Sequence, residues 1–255
     1  ERCRGVTVRG IGFHGNPDGQ GRNAERLHGI AVRDAESVTL ERNRIRQTHP
    51  RSHGDGGSGI SVTDRCSYVQ VLHNRVRDFG DRGIQVAGRR VLVSGNVVSE
   101  GLDRPIACDV WYPEDRNRTA GSVVVFGNLL GNTVEGSLVG VARNTPVEPE
   151  AGYITVVGNV GFGTHKSFCH VRGPEAIRNL SVQSNASVQT SGGLGTKQTA
   201  RFAGVAVDVA GGTNVSIANN ELYGYGGHGV HVDSDLENLG VRGNDVADVG
   251  RLGRA

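Results

Sequence analysis

A chain of 255 residues with 28 Lys and Arg against 26 Asp and Glu carries a formal charge of +2, too balanced for the broad basic footprint of a nucleic-acid binder. No apolar run approaches the roughly 18 residues of a membrane-spanning helix, and no charged start followed by an apolar core marks a signal peptide. Gly takes 40 positions and Met none, so the chain is expected to lack an N-terminal portion.

Taken in chain order, the predicted elements repeat. "VTVRGIGF" alternates through Val6 and Val8 and turns at Ile11. "GIAV" (29–32) follows as a short strand, and "SVTLERNRI" (37–45) alternates through Val38 and Leu40 before Asn43 breaks the rhythm ahead of Ile45. The pair then recurs. "GISV" (59–62) precedes Val71 to Asn74, "GIQV" (83–86) precedes Val93 to Asn96, "PIAC" (105–108) precedes Val125 to Asn128, and "VGV" (139–141) precedes Val156 to Asn159. "CHV" (169–171) precedes Val182 to Asn185, "GVAV" (204–207) precedes Ile217 to Asn220, and "GVHV" (229–232) precedes Val241 to Asn244. Successive markers lie 22 to 35 residues apart, the range of a repeat architecture. Each unit reads as strand, turn, strand, Asn turn, short strand and variable loop; helical periodicity is absent.

Such a unit cannot bury its own apolar face. If the chain winds one unit per coil, each strand pairs in parallel with its copies about 4.8 Å above and below, and inward Val, Ile and Leu form continuous stacks. An Asn turned inward at each corner tolerates left-handed backbone geometry and is placed to bond the next Asn in a ladder. On these eight in-register asparagines the chain resembles the right-handed parallel β-helix, pectin-lyase-like superfamily over nearly all of residues 3–246. The resemblance implies an all-β, single-stranded parallel β-helix solenoid of about nine coils with an internal Asn ladder, occupying residues 1–255 as one domain. That fold hosts lyases, hydrolases, epimerases and viral spikes, so it specifies no activity by itself. No amphipathic helix precedes Cys3, Val6 and Val8, so one or both end caps are expected to be missing. A larger parent chain or a homo-oligomer such as a trimer would then cover the open ends.

Cys3 and Cys66 occupy the same slot two coils apart, roughly 9–10 Å, while Cys108 and Cys169 point inward two coils apart. A disulfide needs Cα atoms within about 7 Å, so no pairing is expected and the cysteines read as small buried hydrophobes.

In the resembled superfamily, the outward face of the "GI-x-V" strand is the floor of the binding cleft. Its outward residues here are small over coils 3 to 6. Coils 7 to 9 present His170 with Arg172, Ala206 with Asp208, and His231 with Asp233. In this frame Arg172, Asp208 and Asp233 are neighbours about 5 Å apart. Carboxyls that close split into acid and base, suit a retaining glycosidase, or share a cation such as calcium. A His is placed to remove the proton beside a uronate carboxylate held by the Arg, as β-elimination requires. A solvated ion-pair ladder is the alternative account of the same row.

Long excursions beside the small-residue floor carry Asp109, Trp111 and Tyr112, whose aromatic faces suit a pyranose ring or pack under their own loop. Lys166 lies next to His170, and "ELYGYGGHG" (221–229) brings Tyr225 and His228 toward His231. The loop 47–59, with His49, His53 and Asp55, has no paired metal-ligand spacing. No clean match exists to the clustered Asp motifs of polygalacturonase-like hydrolases, the Asp-Pro-Asn-Asp motif of alginate epimerases, or the Lys and Arg of alginate and chondroitin lyases. Two expectations therefore stand. One is an extracellular carbohydrate-active protein cleaving an extended acidic polysaccharide by elimination or hydrolysis, with His170, Arg172, Asp208, His231 and Asp233 as catalytic candidates. The substrate-binding candidates are Asp109, Trp111, Tyr112, Lys166, Tyr225 and His228, with no metal required. The other is a non-catalytic spike, tail-fibre or adhesin module on a virion or cell surface. Neither involves nucleic acid or membrane.

Overall fold

A computed structural model describes residues 3–15, 28–48, 57–109, 122–133, 136–142, 153–163, 166–172, 179–189, 205–225, 227–232 and 236–247. Short β-branched runs separated by Gly, Ser and Asn corners give 24 strands and no helix among these residues. Neighbouring strands pair in parallel, each with its equivalent one coil away. Among the described residues, no helix is long and apolar enough to cross a membrane.

Three faces run the length of the stack. The first comprises Ile30–Arg33, the starts of Ile60–Leu72 and Arg82–Ser94, then Arg104–Asp109, Val139–Ala142, Cys169–Arg172, Val207–Ala210 and Val230–Val232. The second runs from Cys3–Arg9 and Ala35–Glu41 to Gly212–Ala218 and Leu236–Arg242. Two thirteen-residue strands, Ile60–Leu72 and Arg82–Ser94, continue from the first face into the second. The third face is a nine-stranded sheet from Gly12–His14 to Asp245–Ala247, ordered as in the chain. The architecture is the right-handed, single-stranded parallel β-helix expected from the repeats.

Alternation decides what faces the axis. Val38, Leu40, Val69, Val71, Val91, Val93, Val123, Val125, Val156, Val182 and Ile217 are all buried on the second face and join one continuous core. Beside this core the asparagines form the expected ladder. The Asn74 side-chain oxygen accepts from the Asn43 backbone N–H at 2.9 Å and from its amide at 3.0 Å. The Asn74 amide donates to Asn96 Oδ1 at 3.0 Å and to the Leu40 carbonyl at 2.9 Å. Asn96, Asn128, Asn159, Asn185 and Asn220 continue the pattern to Asn244. The ladder therefore satisfies the corner amides as well as itself, which a buried turn requires.

One detail of the corner differs from expectation. The left-handed residue is the one before each Asn: Arg42, His73, Ser184 and Asn219 have φ of 55°, 55°, 52° and 54°. Gly10, Gly95, Gly127, Gly158 and Gly243 fill the same slot in other coils. Asn is present for its two-sided amide, and the strain falls on its neighbour, which explains the recurrent Gly-Asn pairs.

Cys66, Cys108 and Cys169 are buried as expected, whereas Cys3 is exposed. Cys3 and Cys66 do share a column: Cys3 pairs with Ala35, and the strand after Ala35 pairs Glu36 with Ser67. Among the described residues Cys3 has a neighbouring coil on one side only. Burial pushes the Cys169 thiol up to about 12, with the nearby Asp208 charge contributing in the same direction.

Candidate functional site

The outward face of the first sheet is fixed by its register. Ala31, Ser61, Gln85, Ala107, Gly140, His170, Asp208 and His231 form one column, each residue beside the next. Arg172 pairs with Ala210, not with Asp208. The expected row of Arg172, Asp208 and Asp233 is therefore a frame error of two residues at coil 8. In "AGVAVDVA" (203–210) the valines at 205, 207 and 209 alternate without a break. A slip of two leaves every inward and outward assignment unchanged, so alternation alone does not detect it. Ala206 fills the slot of the usual Gly and is fully buried rather than outward.

The corrected register places one carboxylate between two imidazoles. Asp208 Oδ1 accepts from His231 Nδ1 at 2.9 Å, and His170 Nε2 lies 3.6 Å from Asp208 Oδ2. The side chains of Asp208 and His170 are 17% and 16% exposed and that of His231 49%, so the group is seated in the face with His231 its open member. A carboxylate only accepts, so in a neutral ring His231 carries its hydrogen on Nδ1 and presents the Nε2 lone pair. His228 is exposed and stacks on His231 with ring centroids 6.1 Å apart and an interplanar angle of 21°.

Arg104 extends the cluster. A Cβ on Gly140 would stand 2.5 Å from Arg104 Cδ and 3.0 Å from its Nε. The arginine thus lies across the glycine, one strand from His170. Sequence reasoning overlooked this residue because it precedes "PIAC", outside the motif. The signal was its pairing column: Arg82 stands before "GIQV" in the equivalent position, and the two pair across the sheet. Lys166 is exposed three residues before the strand Cys169–Arg172 and interacts electrostatically with Asp103. Burial raises the Asp103 pKa, while Arg104, Arg82 and Lys166 oppose that shift.

Other candidates fare differently. Tyr225 is fully buried, and its hydroxyl bonds Ser187 Oγ at 2.5 Å. Burial pushes its pKa far up, so it is a core residue rather than a rim residue available to substrate. Asp109 and Arg172 lie on first-face strands, at positions that pair with Ala142, but their side chains lie outside the described residues. So do Trp111, Tyr112 and Asp233 altogether, and with them His49, His53 and Asp55. Among the described residues no group of three or more His, Cys, Asp and Glu is disposed to hold a metal ion. The atoms facing Asp208 are imidazole nitrogens, where calcium requires about six to eight oxygens.

Residues 1–148 match the family described as right handed beta helix region. The chain belongs to this β-helix family. No curated protein sequence matches it. Among solved structures, pectate lyase Pel9A is similar over 98% of this chain and 73% of its own, at 12% identity and TM-score 0.61. An alginate lyase from Paenibacillus sp. str. FPU-7 is similar over 96% of this chain and 87% of its own, at 13% identity and TM-score 0.58. The periplasmic alginate epimerase AlgG is similar over 86% of this chain, at 13% identity and TM-score 0.56; this chain spans 47% of that protein. At such identities the likeness concerns the pectin-lyase-like fold.

Proposed function

We propose that this β-helix acts on an extended acidic polysaccharide laid along the outward face of its first sheet, cleaving it by β-elimination. The observation that carries the reading is the Asp208 to His231 contact of 2.9 Å, made by an imidazole whose side chain is 49% exposed. Asp208 holds the Nδ1 hydrogen, and His231 Nε2 takes the proton from the carbon beside a uronate carboxylate. The ring gains a double bond as the adjoining glycosidic bond breaks, and the departing oxygen takes up a proton. The Arg104 side chain, lying across Gly140, and His170 on the adjoining strand bind carboxylates of neighbouring sugars. Similar folds in pectate lyase Pel9A and in alginate lyase and epimerase proteins support a uronate substrate, and the periplasmic location of the epimerase AlgG supports action outside the cytoplasm.

Incubation with alginate, polygalacturonate and neutral glucans tests this, following both the ultraviolet absorbance of unsaturated ends and new reducing ends. A uronate polymer should give both signals, and Asp208→Asn or His231→Gln should lower turnover by about a hundred-fold or more, the usual range for general-base loss. Absence of turnover on every glycan, reducing ends without unsaturation, or full activity in both variants would each sink the proposal.

A further inference from the structure

The third face carries a charge pattern that the first-face site does not use. One outward column there reads Arg44, Arg75, Val97, Leu129, Val160, Ala186, Glu221 and Asp245 over coils 2 to 9. Positive charge stands at one end, negative charge at the other, and an apolar stretch fills the middle. The order is antisymmetric about the gap between coils 5 and 6. Reversed, it sets Arg44 against Asp245, Arg75 against Glu221, Val97 against Ala186 and Leu129 against Val160. The apolar part is open to solvent: Leu129, Val160 and the neighbouring Val188 are 41%, 48% and 45% exposed.

The arginines are also unlike Arg4 and Arg9 of the second face. There Arg4 meets Glu36 at 3.3 Å and Arg9 meets Glu41 at 3.4 Å, each with its partner one coil away. On the third face Arg44 lies directly beside Arg75, and Arg46 beside Arg77. Arg77 is held by Glu100, but Arg44, Arg46 and Arg75 have no acidic partner among the described residues. Like charges stacked rung on rung oppose folding, and an opposing acidic surface relieves that repulsion.

We infer that the third face is a docking surface for a second copy of this chain, joined antiparallel about a two-fold axis between coils 5 and 6. An isologous contact of this kind satisfies each pairing twice, Arg75 to Glu221 of the partner subunit and the reverse. It fits a dimer, where the sequence suggested a trimer. Nine rungs at about 4.8 Å and strands about 10 Å wide make the face roughly 38 Å long and narrow. It buries several hundred Å² per partner, below the roughly 800 Å² of a standard interface. The dimer is accordingly weak, with micromolar dissociation, and it loosens with salt because its end contacts are ionic.

Sedimentation velocity over a concentration and salt series tests the inference. The unaltered chain should dimerise as concentration rises and dissociate as salt rises. Arg75→Glu and Glu221→Arg should each weaken the dimer about ten-fold or more, and the double reversal R75E/E221R should restore it, because it exchanges both partners of each pair. Leu129→Asp should abolish it. All three substituted positions are exposed, and unchanged unfolding midpoints at low concentration confirm that the four variants fold. A monomer at all concentrations, a trimer, or a double reversal no tighter than the single ones would overturn the inference. These outcomes do not depend on the first-face chemistry, which Asp208→Asn reports separately.

Discussion

Replacing Asn128 by Ala tests whether the ladder holds the coils together or merely lines the corner. The Asn128 side chain makes four hydrogen bonds, accepting from the Asn96 N–H and amide at 2.9 Å each and donating to the Val93 carbonyl at 3.0 Å and Asn159 Oδ1 at 2.9 Å. Two of these partners keep alternatives. The Asn96 amide still reaches the Val71 and Ser94 carbonyls, and Asn159 Oδ1 still accepts the Asn128 backbone N–H. The buried Asn96 N–H loses its acceptor outright. With about 1 kcal/mol net for each lost bond, and about 1–3 kcal/mol for a buried group left unsatisfied, the expected loss is about 3–5 kcal/mol. Asn244 supplies the control. It accepts from Asn220 at 3.1 and 2.8 Å and donates to the Ile217 carbonyl at 3.0 Å, but it is only half-buried, so water can replace what Ala removes. Its loss should be about 1 kcal/mol. Urea unfolding followed by both far- and near-ultraviolet circular dichroism gives the two values, with coincident transitions required because stacked repeats do not always unfold in one step. If Asn128→Ala fell within about 1 kcal/mol of Asn244→Ala, the ladder would have no special weight and the reasoning would fail.

Three further outcomes are expected. Gly127 has φ of 62° and open space where a Cβ would sit, so Gly127→Ala should cost about 1 kcal/mol in urea unfolding from backbone strain alone, and Ser184→Gly should recover a few tenths to 1 kcal/mol at the equivalent corner. Of the four free cysteines only Cys3 is exposed, so a thiol reagent near pH 8 should modify one group in the folded chain and four after unfolding; early reaction of Cys169, whose burial lifts it to about 12, would contradict the packing. Burial raises the Tyr225 pKa above its ordinary 10.0, so the folded state holds that proton more tightly than the unfolded chain does. Stability from this source is fully present below about pH 10 and is lost as pH rises further, and Tyr225→Phe should flatten that alkaline limb of the unfolding midpoint.

The fold was legible because its markers are periodic. An Asn every 22 to 35 residues, each behind an inward Val, Ile or Leu, leaves few architectures other than a stack of coils. The corner was read less accurately, since sequence alone does not say which of two adjacent residues takes positive φ. The Gly-Asn pairs at 95–96, 127–128, 158–159 and 243–244 held that information, which His73 and Arg42 at the same slot obscured. Tyr225 was misplaced for another reason. In a Gly-rich loop an aromatic reads as exposed, and only the three-dimensional path shows Ser187 waiting beneath it.

The site depends on the register in a way the core does not. Inward columns tolerate a slip of two residues, because valine replaces valine in a continuous stack. Outward columns do not, because each position carries its own chemistry. In the uncorrected frame Asp208 would face Arg172 and Asp233, a pair of carboxylates suited to acid and base roles or to a shared cation. In the observed frame its neighbours are His170 and His231, and under the proposed function the carboxylate is the group that orients a base. Two residues of slip at a run of alternating valines thus remove the carboxylate pair on which the hydrolytic reading rested, while proton abstraction by a histidine, open in either frame, keeps its candidates. The unsaturated-product assay discriminates between the same two possibilities in solution.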